Sequence, residues 1–252
     1  MIFFDVLRKE LVEAWRSRRL IVLIAIMAVF GMMSPLLAKH APDMMRLLPG
    51  GEAIAAIIPT PTLADAIAQY VKNLSQFSLI LAILLNMGGV VGERERGTAA
   101  MMLVKPLPRA SFVGAKLAAQ GISFAIALVF AGTGGFVYTW ILFGAPPYSG
   151  WLALNVLLLL YALVYVAITL LASTIARSMA VAAGIAIGLA GLLGLVGVIP
   201  DVGRYLPAKL GALGMQLALG MPGDGWPPVA VSLALVATCF VTAWLAFEKM
   251  EI

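Results

Sequence analysis

The chain has 252 residues, of which 62% are hydrophobic and 12% charged, with a mean hydropathy of +1.03. Soluble domains carry about a quarter charged residues, so a soluble globular fold is excluded: so few charges could not cover so much apolar surface. The net charge of +5 sits at the ends of apolar blocks, which points to orientation in a membrane and away from nucleic acid.

Residues 1–19 come first. At 100° per residue, Phe3, Phe4, Leu7, Leu11, Ala14 and Trp15 share one arc, and Asp5, Arg8, Lys9, Glu13 and Arg16 lie opposite. This pattern predicts an amphipathic interfacial helix with its arginines facing phosphates of the inner leaflet. The basic stretch is too long, and the apolar run behind it too extended, for a cleaved signal sequence, so the segment reads as retained.

A helix rises about 1.5 Å per residue, so roughly 20 apolar residues cross a hydrocarbon core of about 30 Å. Crossings are predicted near 20–38, 74–92, 117–143, 151–176, 181–200 and 227–247. No charge lies between Lys116 and Arg177, which leaves room for two crossings broken by the turn Gly144-Ala-Pro-Pro-Tyr-Ser-Gly150. The expected fold is all-α: a polytopic membrane protein with six transmembrane helices in a single domain, 1–252. Lys and Arg concentrate before the first crossing and between the second and third, placing both termini in the cytoplasm of a cell whose plasma membrane holds the protein. Two outer connections, 39–73 and 201–226, are too long for simple turns. Within the second, 206–219 reads as a re-entrant or surface-lying helix.

The loop between crossings two and three is the most informative stretch. Thr98 can cap a short helix over 99–104, which Pro106 and Pro108 then stop. Met101, Met102 and Leu103 give that helix apolar side chains and no body of its own to cover. Two partners suit it: a groove on another protein, or the membrane surface. Farther on, Gly184, Gly188, Gly191, Gly194 and Gly197 recur every three or four residues along crossing five. Such a stripe lets two helices approach closely in lipid, either across a dimer axis or within one protomer.

Residues suited to catalysis or metal binding do not cluster. His40 is the single histidine and reads as a surface residue; Cys239 stands alone in an apolar run. No lysine precedes Ser or Thr, so the chain has no phosphate-binding P-loop. No catalytic, cofactor or metal site is expected, and any ATP used must be hydrolysed elsewhere.

Glu93-Arg-Glu-Arg-Gly-Thr98, Lys105-Pro-Leu-Pro-Arg109 and Gly114-Ala-Lys116 together resemble the signature of permeases of type-2 ATP-binding-cassette exporters. The opening Arg8-Lys-Glu-Leu-Val-Glu-Ala-Trp-Arg-Ser-Arg-Arg19 is similar to that family's entry helix. The resemblance implies that helix 99–104 is a coupling helix docked in a separate cassette-type ATP-binding subunit, which would hold ATP and Mg. Glu93, Glu95, Gly97, Thr98, Met101, Met102, Leu103, Pro106 and Arg109 would form that joint, with Arg177 as a second, smaller contact. It also implies a second permease copy, identical or related, packed through Gly184, Gly188, Gly191 and Gly194. Apolar crossings with no charge inside them suit an amphipathic or lipid-like cargo among membrane lipids. The same lack weighs against an ion-coupled carrier or channel, the alternative transport class, and the empty catalytic search weighs against a membrane-embedded enzyme.

Overall fold

Six of the described helices are long and apolar enough to cross a bilayer. They are seen in a computed structural model that describes residues 2–47, 49, 52, 59–95, 108–223 and 225–249. The helices in chain order are α1 (Ile2–Arg16), α2 (Arg19–Arg46), α3 (Leu63–Asn86), α4 (Val91–Glu95) and α5 (Arg109–Phe143). They are followed by α6 (Tyr148–Ile175), α7 (Met179–Val196), α8 (Pro200–Gly203), α9 (Lys209–Ala218) and α10 (Pro227–Glu248). Among the described residues all regular structure is helical, as a lipid solvent demands: in it, backbone hydrogen bonds close most readily within one segment.

Helix boundaries depart from the sequence expectation at both ends of the bundle. On the side of the N-terminus, α5 begins at Arg109, eight residues before the expected 117, and the opposite ends differ as well. Crossing one continues through Pro42 to Arg46, where Asp43 lies 3.5 Å from His40 and 3.2 Å from Arg46 on the exposed helix surface. Crossing two starts at Leu63, eleven residues before the expected 74. The reason is a capping box: the Thr62 hydroxyl accepts from the Asp65 N–H, and the Asp65 carboxylate accepts from the Thr62 N–H at 2.8 Å. Asp65 and Lys72 therefore lie on α3, and Lys116 on α5, so the helices are not charge-free along their full length.

α6 is the buried centre of the bundle, two-thirds enclosed where the other crossings are less than half enclosed. Polar side chains tie it to its neighbours. Tyr70 on α3 donates to Asn155 Oδ1 at 2.7 Å, and Trp151 Nε1 donates to the Gly132 carbonyl of α5 at 3.0 Å. Asn73 of α3 donates to Ser34 of α2 at 3.0 Å. Hydrogen bonds of this kind join helices where water cannot compete. The predicted re-entrant or surface helix is α9, which packs through Leu210, Gly211, Leu213 and Gly214 against α3 and α6.

α2 and α5 form the most extensive helix pair. Gly31 makes it feasible: a Cβ there would stand 2.6 Å from the Ala131 carbonyl oxygen, with backbone that cannot swing aside. A second apolar cluster gathers Val6, Val90, Phe112, Val113, Leu170, Ala243 and Phe247. It brings α1 and the end of α10 to the same end of the bundle, as an even number of crossings requires.

Gly31→Leu is expected to lower the stability of the detergent-solubilised monomer by roughly 1–3 kcal/mol through overpacking. Gly188→Leu, where an added Cβ meets nothing within 4 Å, should leave it unchanged. Thermal unfolding of the two variants checks the contrast.

Candidate functional site

The coupling segment predicted at 99–104 lies outside the described residues, and with it Gly97, Thr98, Met101, Met102, Leu103 and Pro106. Both of its anchors are described, and each is fastened to several helices. α3 ends at Asn86; a turn through Gly88 and Gly89 follows, and α4 then carries the chain to Glu95. The hydroxyl of Ser173 on α6 accepts from the Val90 and Val91 N–H groups at 3.0 and 3.2 Å, occupying donors that the start of α4 would otherwise leave open.

Glu93 points inward. Its Oε1 accepts from Lys116 at 2.9 Å and from Lys9 at 3.0 Å. Lys116 also donates to Glu10 at 2.9 Å and lies 4.9 Å from the centre of the Phe112 ring. Lys9 further pairs with Glu10 at 3.3 Å and Glu13 at 3.6 Å. One ionic knot thus joins α1, α4 and α5. The Lys116 side chain is only 5% exposed, and those of Glu10 and Glu93 are 11% and 13% exposed. Burial alone would lower the Lys9 pKa, but Glu10, Glu93 and Glu13 outweigh it and raise the pKa, so the ammonium stays charged.

The carboxylates of Glu10, Glu13 and Glu93 come within 4.8 Å of one another. Lysine ammonium groups already serve as their counter-ions, so the chemistry is that of a salt-bridge network and not of a metal cage. A cavity of about 40 Å³ borders the knot and is lined also by Arg19, Asn86 and Gln120, with room for water.

Two arginines beside the segment act as helix caps. Arg94 donates to the Thr174 and Ala176 carbonyls at 3.4 and 3.3 Å, at the C-terminus of α6. Arg109 donates to the Phe247 carbonyl at 3.0 Å and to that of Glu248, at the C-terminus of α10. Both guanidinium groups meet carbonyls of a helix's last turn, and a cation there also complements the helix dipole. Glu95 and Arg177 are exposed at the same end, Arg177 in the short connection between α6 and α7.

The other predicted residues lie apart, on α7. Ala182, Ala186 and Ala190 face the bundle, whereas a Cβ added at Gly184, Gly188, Gly191 or Gly194 would meet nothing within 4 Å. These four glycines are therefore not used for packing against the described residues of the protomer, whereas Gly197, just past α7, is closely approached by Gly203. His40 is exposed and Cys239 is half-buried in α10.

Sequence reasoning missed the inward role of Lys9, which helical periodicity alone assigns to a polar outer face, and of Glu10, which it assigned to neither face. It also missed Ser173 and Arg94 as caps. The available signal was charge balance: Lys9, Glu10, Glu93 and Lys116 are the residues with which an apolar end can neutralise itself.

Lys116→Met removes one partner of a buried network and is expected to lower stability by ~3 kcal/mol. Combining it with Glu93→Gln should recover part of the loss. A double-mutant cycle on chemical unfolding in detergent checks this.

A family model described as "ABC-2 family transporter protein" matches residues 4–206. The chain is also 29% identical over 261 aligned residues to an uncharacterized transmembrane protein, YxlG, of Bacillus subtilis (strain 168), covering 99% of this chain and 98% of that protein. The six long apolar helices, the fastened loop anchors and these matches agree: the chain belongs to the ABC-2 family of transporter membrane proteins.

Proposed function

We propose that the chain is the permease subunit of an ATP-driven transporter, moved by a separate cassette-type subunit that binds ATP and Mg. The observation that carries this reading is the fastening on both sides of segment 96–107. Glu93 is tied to α1 and α5, Arg94 to the end of α6, and Arg109 to the end of α10. A force applied to that segment reaches four helices at once, because each link is a short polar contact. ATP binding would close two partner subunits, pull the coupling helices, and shift the crossings of two permeases against each other. Exposed Glu95 and Arg177 would add contacts to the partner. The family match favours this reading over an ion-coupled carrier.

Both termini would face the cytoplasm, where the basic loops favour them. Two copies would pack through the open glycine face of α7, since close helix approach is a leading source of association where lipid removes the hydrophobic drive. The cargo would be amphipathic or lipid-like and the direction outward. A recess of about 400 Å³ between α5 and α6 suits such a molecule, with Leu128, Phe136, Trp151 and Leu152 as apolar wall and Asn155 as a polar group.

Replacing Met101, Met102 and Leu103 together with Asp should abolish co-purification of the ATP-binding subunit while the permease still inserts. Undiminished co-purification with full transport would overturn the docking claim. Gly188→Cys is expected to cross-link efficiently between two copies in oxidised membranes, and Ala186→Cys, which faces the bundle, is not. Gel mobility under non-reducing conditions reads the difference.

A further inference from the structure

We infer that the groove between α1 and the flank of α5 is a binding site for an anionic phospholipid. The groove measures about 510 Å³. Phe4, Leu7, Leu11 and Trp15 of α1 form one wall, and Ile122 and Ile126 of α5 form the other. Arg8, Val12 and Arg16 complete the lining on the α1 side, Leu20 of α2 adjoins them, and no acidic residue lines it among the described residues.

Charge selects the occupant. α1 carries acids as well as bases, but Glu10 and Glu13 are turned toward Lys9 and Lys116 on the opposite flank, and Asp5, exposed one turn before Arg8, does not line the groove. The groove side is left with two exposed guanidinium groups above an apolar trough. They stand eight residues apart, roughly 12 Å along the helix axis, and their long side chains can close on a headgroup from either side. An acyl chain fills the trough and a phosphate takes the arginines, which are well suited to planar, multi-donor contact with that group. Trp15, 59% exposed, is placed as aromatic residues are at the boundary between headgroups and chains.

Lipid is favoured over a partner protein by the second wall. Ile122 and Ile126 lie well inside α5, a membrane-crossing helix, and its neighbouring Val129 and Phe130 are 65% and 55% exposed. The trough therefore opens sideways into hydrocarbon. A lipid held here would set the angle between α1 and α5 and so brace the ionic knot on the other face of α1. The inference needs only the membrane assignment; its failure would leave the ATPase-coupling reading standing, because the coupling tests do not involve Arg8 or Arg16.

The test uses the full chain in nanodiscs of phosphatidylcholine containing increasing phosphatidylglycerol brominated on its acyl chains. Tryptophan quenching in the wild type minus that in Trp15→Phe isolates Trp15. Its quenching should saturate at a low phosphatidylglycerol fraction. The Arg8→Gln/Arg16→Gln variant should need roughly tenfold more or beyond, and each single substitution, at an exposed position, an intermediate amount. Arg204→Gln, on the far side of the bundle, should match the wild type. Brominated phosphatidylcholine quenching Trp15 as steeply as brominated phosphatidylglycerol would reduce the groove to ordinary solvating lipid and overturn the proposal. So would single and double variants that follow the wild-type curve.

Discussion

Lys116 is a cation enclosed by protein at the edge of a membrane-crossing helix, and an isolated charge there would be strongly disfavoured. The counter-charge it requires comes from two other parts of the chain, Glu10 and Glu93, with Lys9 balancing the additional carboxylate. That requirement fixes α1 and α4 against α5. Once α4 is held, Arg94 reaches the end of α6 and Ser173 reaches the start of α4. The N-terminal helix is thereby part of the bundle's polar joint and not only a raft on the headgroups. The buried knot is weak evidence for stability, since burying charges is itself unfavourable. Its value lies in specifying one arrangement of three helices.

The same constraint bears on the lever proposed for the loop between α4 and α5. Most of a helical bundle in lipid is held by apolar packing, which tolerates small slides. The joint is held by directional contacts at 2.9–3.4 Å between charged groups and carbonyls. Such contacts have one good geometry, so displacement at one end is passed on and not absorbed. α7 is built on the opposite plan. It has little burial, alanines toward its own bundle and glycines outward, and it has surface available for another helix.

Several features were legible in the residues themselves. The six crossings followed from apolar length, and the family from the acidic–basic patch at Glu93–Thr98 with its following prolines. The early start of α3 was also legible: Thr62 and Asp65 have capping-box spacing, though their proline-rich surroundings obscured it. The position of α9 was not. A short apolar helix reads alike whether it floats on the surface or packs on α3 and α6, and the glycines that seat it, Gly211 and Gly214, signal only close approach to something.

What the sequence by itself determined is the solvent and the count: long uncharged stretches have one stable environment, and backbone hydrogen bonding leaves them one conformation there. The tertiary structure alone decided which charges meet. Periodicity placed Lys9 and Glu13 on a polar face and Glu93 at a loop, but a helical face has no partner until another helix is laid against it. Pairing across 84 residues of chain, as between Lys9 and Glu93, depends on where α1 and α4 end in space. The same holds for the glycine stripe of α7: its spacing was plain, and only the placement of Ala182, Ala186 and Ala190 against the bundle left the glycines facing outward.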